Sequence, residues 1–210
     1  MTEIIISIVH GIFLAFGLIL PLGVQNLFLF NQGSMHSSVF KALPSVIAAS
    51  LCDTILIVIA VLGLSMTLME NPTLKLIILC LGCLFLLYMG FNIWKQTAQT
   101  QGKTKGAYSW KKQIMFAASV SLLNPHAIID TIMVIGTNSL AYSGITKIAF
   151  TVTCITVSWI WFFTIAFAGH YLHKLDSNGT WLRRINQIAA LIIWIIAFGL
   201  AIDIARILGE

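Results

Sequence analysis

Two carboxyl groups stand where an acid is costly. Asp53 lies in Ala49-Ser50-Leu51-Cys52-Asp53-Thr54, and Asp130 ends Leu122-Leu123-Asn124-Pro125-His126-Ala127-Ile128-Ile129-Asp130, each inside a long apolar run. An acid so placed persists mainly where it lines a cavity or relays a proton; the alternative is a protonated, hydrogen-bonded packing device. A second punctuated run, Ile19-Leu20-Pro21-Leu22-Gly23-Val24-Gln25-Asn26, matches the one at Pro125. Proline lacks the N–H donor and clashes with the preceding turn, so each run should break there. The half-helix beyond a break starts with unpaired N–H groups and a positive dipole end. Two such ends facing one another suit a carboxylate. The alternative is a pair of proline kinks repaired by neighbouring groups. His126 and Asp130 are spaced i, i+4, half of a metal site. No third ligand recurs at matching spacing, so no metal and no other cofactor is expected.

The elements that hold these residues must lie in a bilayer. The 210 residues are 59% hydrophobic and only 9% charged, against roughly a quarter charged in a soluble domain. That excludes a cytosolic enzyme, a secreted disulfide scaffold and a disordered chain. A net charge of +5 is too dilute for nucleic acid. Cys52, Cys80, Cys83 and Cys154 sit in apolar runs rather than polar loops, which argues against disulfides or zinc. Six stretches, about 4–30, 43–69, 74–94, 113–136, 148–168 and 185–202, reach the ~20 apolar residues of a spanning helix. Nothing alternates as a barrel strand would, so the fold expected is all-α. The N-terminus, with Glu3 and His10, does not read as a cleavable signal.

Charge sets the orientation. Lys41, Lys95, Lys103, Lys105, Lys111, Lys112, Lys174, Arg183 and Arg184 follow the first, third and fifth spans, and only Lys75, Lys147 and Arg206 fall on the other side. Basic loops stay in the cytoplasm, so both termini are expected outside. The basic linker 96–112 reads as a topology determinant rather than a lipid or nucleic-acid patch. It separates two three-helix halves, 1–95 and 113–210, each opening with a broken span. Aligning Pro21 with Pro125 puts Asn26 opposite Asp130 and brings Gly90 near Gly199. An odd number of spans per half makes the second copy inverted, a layout of secondary transporters. At about 1.5 Å per residue both breaks fall near the midplane.

The remaining polar residues sort by depth. Gln25, Asn26 and Asn124 flank the breaks and are assigned to the pathway; Asn92 is assigned to helix–helix hydrogen bonding. Asp203 and Arg206 suit a local ion pair. His10 and His170 are placed at the interface, and Trp94, Trp159, Trp161 and Trp181 in packing or the aromatic belt.

Leu20-Pro21-Leu22-Gly23-Val24-Gln25-Asn26, continuing to Asn31-Gln32-Gly33, resembles the first signature of the LysE-type amino-acid exporters. Leu123-Asn124-Pro125-His126-Ala127-Ile128-Ile129-Asp130-Thr131 resembles their second. The pairing is most similar to the branch exporting lysine and arginine, although Val24 stands where family members often carry a second proline. The resemblance implies a non-enzymatic exporter of basic amino acids in a bacterial cytoplasmic membrane, driven by proton antiport. Together with the acid at Asp53, the substrate-binding set expected is Gly23, Gln25, Asn26, Asp53, Asn124, His126 and Asp130. The carboxylate would sit on the half-helix ends, and Asp53 and Asp130 would meet the cationic groups or take the returning proton. A homodimer is expected. Export of a divalent heavy metal or of neutral amino acids are the alternatives. A thiol-electron carrier fits poorly, because its cysteines belong at the broken helices.

Overall fold

The computed structural model describes residues 1–20, 23–36, 38–63, 72–96, 108–175 and 180–209. Among them all regular structure is helical. Helices α1 (Thr2–Ile19) and α2 (Val24–Met35) are followed by a 3-10 turn (Val39–Ala42), α3 (Leu43–Val61) and α4 (Pro72–Gln96). Then come α5 (Trp110–Leu122) and α6 (Pro125–Asp130), which runs on as a π-helical stretch (Thr131–Gly136) and a last turn (Thr137–Ser139). Helices α7 (Gly144–Leu175) and α8 (Thr180–Gly209) complete the chain.

Thr2–Ile19, Val39–Val61, Gly144–Leu172 and Ala190–Ile207 are each long and apolar enough to cross a bilayer. Trp110–Leu122 with Ala127–Ser139, bent by 60°, makes a fifth. The third expected span falls within α4, where Leu79–Tyr88 is the described apolar stretch. Large apolar side chains such as Phe13, Leu84, Ile195 and Phe198 point outward, as a lipid-facing surface requires. The protein is a multi-pass membrane protein.

Both expected breaks are present. Helix α1 stops at Ile19, where the Leu20 N–H closes on the Phe16 carbonyl at 3.0 Å. Helix α2 restarts after Gly23, whose backbone is extended; Pro21 itself lies outside the described residues. In the second half Asn124 is extended and Pro125 opens α6, the position where a missing N–H costs nothing.

Small residues decide which helices meet. Ser7, Gly11 and Ala15 form the buried face of α1, and a Cβ on Gly11 would stand 3.2 Å from the Phe150 carbonyl oxygen of α7. Helix α2 meets α7 more closely still. A Cβ on Gly33 would fall on the Ala166 carbonyl, and one on Gly169 would fall on the Phe30 carbonyl. These backbones touch, as small residues allow in a membrane bundle. In the other half, a Cβ on Gly136 would stand 3.1 Å from the Ala60 carbonyl of α3. The dominant helix pairs are therefore α1 and α2 on α7, α5 and the π-helical stretch on α3, α3 on α7, and α4 on α8. Gly90 of α4 abuts the Trp194 indole rather than Gly199, which has open space around its Cβ position.

Length along α7 gives a scale. The His10 ring packs on Phe150 with centroids 5.6 Å apart, while His170 Nδ1 lies 3.2 Å from the carbonyl oxygen of His36. The two contacts are 20 residues apart on one helix, about 30 Å at 1.5 Å per residue.

Candidate functional site

The two breaks open onto one cavity of about 470 Å³, within the ~300–1,000 Å³ usual for small-molecule sites. Gly23, Gln25 and Asn26 line it from the first break, and Asn124, Ala127 and Asp130 from the second. Asp53 enters from α3, Cys154, Ser158 and Phe162 from α7, and Ile192 from α8. Six of the seven expected substrate-binding residues thus share one space. The side chain of the seventh, His126, lies outside the described residues.

The lining is matched in chemistry. Helices α2 and α6 have no side-chain cap, and their first internal bonds are Leu27 N–H to Gly23 O and Ile128 N–H to Asn124 O. The N–H groups ahead of those bonds are free of helical partners and carry the positive dipole ends. Among the described residues, Gln25 Nε2, Asn124 Oδ1 and the Ser158 hydroxyl are buried and lack hydrogen-bond partners. A buried polar group without a partner costs about 1–3 kcal/mol, so these atoms favour a polar ligand. Gln25 and the helix ends offer donors; Asn124 and the two carboxyl groups offer acceptors. The Ser158 hydroxyl lies beside the Asp53 carboxyl, its nearest acceptor. A small ligand carrying both an anionic and a cationic group complements this set.

Asn26 is placed differently from its neighbours. Its Nδ2 donates to the Ile19 carbonyl at 2.7 Å, and its Oδ1 accepts from Trp161 Nε1 at 3.3 Å. It lines the cavity while bracing the break. Trp161 in turn meets Phe16 edge-on at 6.3 Å, and Trp159 donates to Thr54 Oγ1 at 3.0 Å. These two indoles are buttresses of the site, a packing role within the sequence reading. Among the described residues no group of three His, Cys, Asp or Glu side chains is placed to hold a metal ion.

Sequence reasoning missed Ser158, Cys154 and Thr131 as lining residues. Ser158 was within reach: the 104-residue offset between the prolines pairs it with Thr54, next to Asp53. The π-helical stretch beside Asp130 left no sequence signal, although such segments recur at functional sites.

Comparison with known proteins bears on the same residues. The LysE type translocator family model matches residues 16–204. YisU of Bacillus subtilis (strain 168), provisionally named an amino-acid transporter, is 50% identical over 198 residues, covering 93% of this chain and 90% of that protein. The arginine exporter ArgO of Salmonella paratyphi B is 32% identical over 196 residues, covering 91% and 92%. No solved structure matches the chain.

Proposed function

Because the chain belongs to the LysE type translocator family, whose members are transporters rather than enzymes, we propose that it exports lysine or arginine from a bacterial cytoplasm in exchange for protons. The observation that carries this is the single cavity holding both helix breaks together with Asp53 and Asp130. The substrate carboxylate lies on the N–H groups of α2 and α6 and on Gln25 Nε2. The α-ammonium and the side-chain cation face Asp130, Asn124, Ser158 and Asp53. The 32% identical relative named an arginine exporter supports the same class.

An inverted repeat of two three-helix halves is part of the proposal, and the packing supports it. Exchange α1 with α5, α2 with residues 125–139, α3 with α7 and α4 with α8, and the dominant pairs map onto one another. The contacts of His10 and His36 about 30 Å apart on α7 support a first element that crosses fully. Nine basic residues against three support a cytoplasmic His36 end and external termini. A homodimer belongs to the same reading.

Moving a cation out of a negative interior costs about 2.3 kcal/mol per 100 mV. One returning proton cancels that electrical term, which gives titratable acids beside the substrate a purpose. The test is uptake of labelled lysine, arginine and leucine into inverted vesicles with and without a proton gradient. Gradient-dependent uptake of the basic pair is expected, and leucine uptake with none of the basic pair would overturn the assignment.

A further inference from the structure

We propose that two histidine clasps, His36–Gln113 at one end of the molecule and His10–Tyr142 at the other, are the gates that open the cavity to one side of the membrane at a time. The inference rests on the transport reading above and adds the moving parts.

Close backbone approach at glycines marks out two groups within the bundle. Helices α1 and α2 are held to α7 by backbone contact at Gly11, Gly33 and Gly169; the π-helical stretch is held to α3 at Gly136, where α5 also packs. Between the groups lies the cavity. Beside it, Trp159 Nε1 of α7 donates to Thr54 Oγ1 of α3 at 3.0 Å, a link at mid-height about which the groups can rock.

The clasps join the same two groups at opposite ends. His36, just beyond α2, lies 3.0 Å from Gln113 Nε2 of α5, which also reaches the carbonyl oxygens of Lys41 and Tyr108 at 3.0 Å. His10 Nδ1 of α1 lies 2.7 Å from the hydroxyl of Tyr142, in the turn after Ser139. Each clasp ties the turn after one second half-helix to the first half-helix of the other repeat. The 104-residue offset carries Gln113 to Val9, beside His10, and His36 to Leu140, two residues before Tyr142. One tie is thus made twice, once per face.

Their position fits gates. Along α7 the cavity is lined by Cys154, Ser158 and Phe162, between Phe150 at the His10 clasp and His170 at the His36 clasp. Both contacts are made in this structure, one toward each end of α7 from the cavity. The His36 clasp is incompletely satisfied. The Gln113 amide has two hydrogens for three neighbours, and its Oε1 is buried without a partner among the described residues. Opening an end parts a few hydrogen bonds and side-chain ring contacts, Tyr142 on Phe150 at one end and Phe28 on Phe116 at the other, whereas separating the glycine contacts would dismantle a group.

Cys154 lines the cavity and serves as the reporter once Cys52, Cys80 and Cys83 are serine. Its alkylation by a membrane-impermeant thiosulfonate is measured in right-side-out and inverted vesicles without substrate. Gln113→Met should raise the rate from the His36 side about two- to tenfold, the population shift worth one hydrogen bond, and leave the other side unchanged. Tyr142→Phe, which removes one oxygen, should do the reverse. Rates that rise on the same side in both variants, or in neither, overturn the proposal. Should Gln113→Met not insert, the Tyr142→Phe arm decides alone, and an unchanged or wrong-sided rate overturns it. Accessibility is read independently of export. Loss of the clasps would leave arginine export standing, and one-sided rises in a protein that exports no arginine would keep the gates and lose the substrate.

Discussion

The side-chain amide of Asn26 donates to the backbone carbonyl of Ile19, seven residues upstream and across the first break, at 2.7 Å. The bond supplies a donor to a carbonyl that the interrupted helix cannot satisfy. Its other end, Oδ1, takes the Trp161 indole N–H, so one side chain fixes α1, α2 and α7 around the cavity.

Replacing Asn26 should therefore be a structural injury before it is a binding one. Asn26→Leu leaves the Ile19 carbonyl without this donor, at a cost of about 1–3 kcal/mol. Asn26→Asp should cost at least as much, because a carboxylate would face a carbonyl oxygen. Melting of the detergent-solubilised protein, measured beside substrate binding, should show both falling together.

The second break tests the half-helix ends. Pro125→Ala restores an N–H at the head of α6 and removes the obstacle to a continuous helix. Export should be lost while the protein still inserts at normal levels. Normal transport by both Pro21→Ala and Pro125→Ala would reduce the prolines to packing kinks.

Gly33 and Gly169 should tolerate no side chain. An alanine at either would drive a Cβ into the backbone of the opposing helix, which cannot give way as a flexible side chain can. Each substitution should cost about 1–3 kcal/mol, read as a lower melting temperature. Gly17→Ala, with nothing near its Cβ position, is the control and should be neutral or slightly stabilising, because alanine is the better helix former.

Much of this was legible in the sequence. Prolines inside apolar runs announced both breaks, and acids at matching depth announced the cavity, because each violates what lipid tolerates. The roles of Asn26 and Trp161 were not legible, since they depend on which carbonyl comes within about 3 Å of which side chain. Trp159 likewise looks the same in sequence whether it sits in a belt or braces Thr54. Gly33 reads as permissive until α7 is laid against it.

His36 should make stability depend on pH. Burial, and secondarily Lys41, hold its pKa below the ordinary 6.5, so the folded protein favours the neutral ring beside Gln113. The groups facing it are Lys41, Tyr108, Gln113 and His170. A depressed histidine pKa stabilises the fold above the ordinary value, and the contribution is lost as pH falls below it. Melting temperature should drop from about pH 7.5 to about pH 5.5 in the wild type, and less steeply in His36→Gln. Equal slopes would remove His36 from the account.

The central claim is that a proton and a cationic amino acid compete for the same carboxyl in one cavity, with Asp53 in that shared role and Asp130 mainly holding the ammonium. Arginine uptake into inverted vesicles, followed against pH in wild type, Asp53→Asn and Asp130→Asn, tests it most directly. The account predicts that Asp53→Asn loses gradient-driven accumulation while retaining slow exchange, and that Asp130→Asn needs more arginine for the same rate. Wild-type coupling in Asp53→Asn would contradict it.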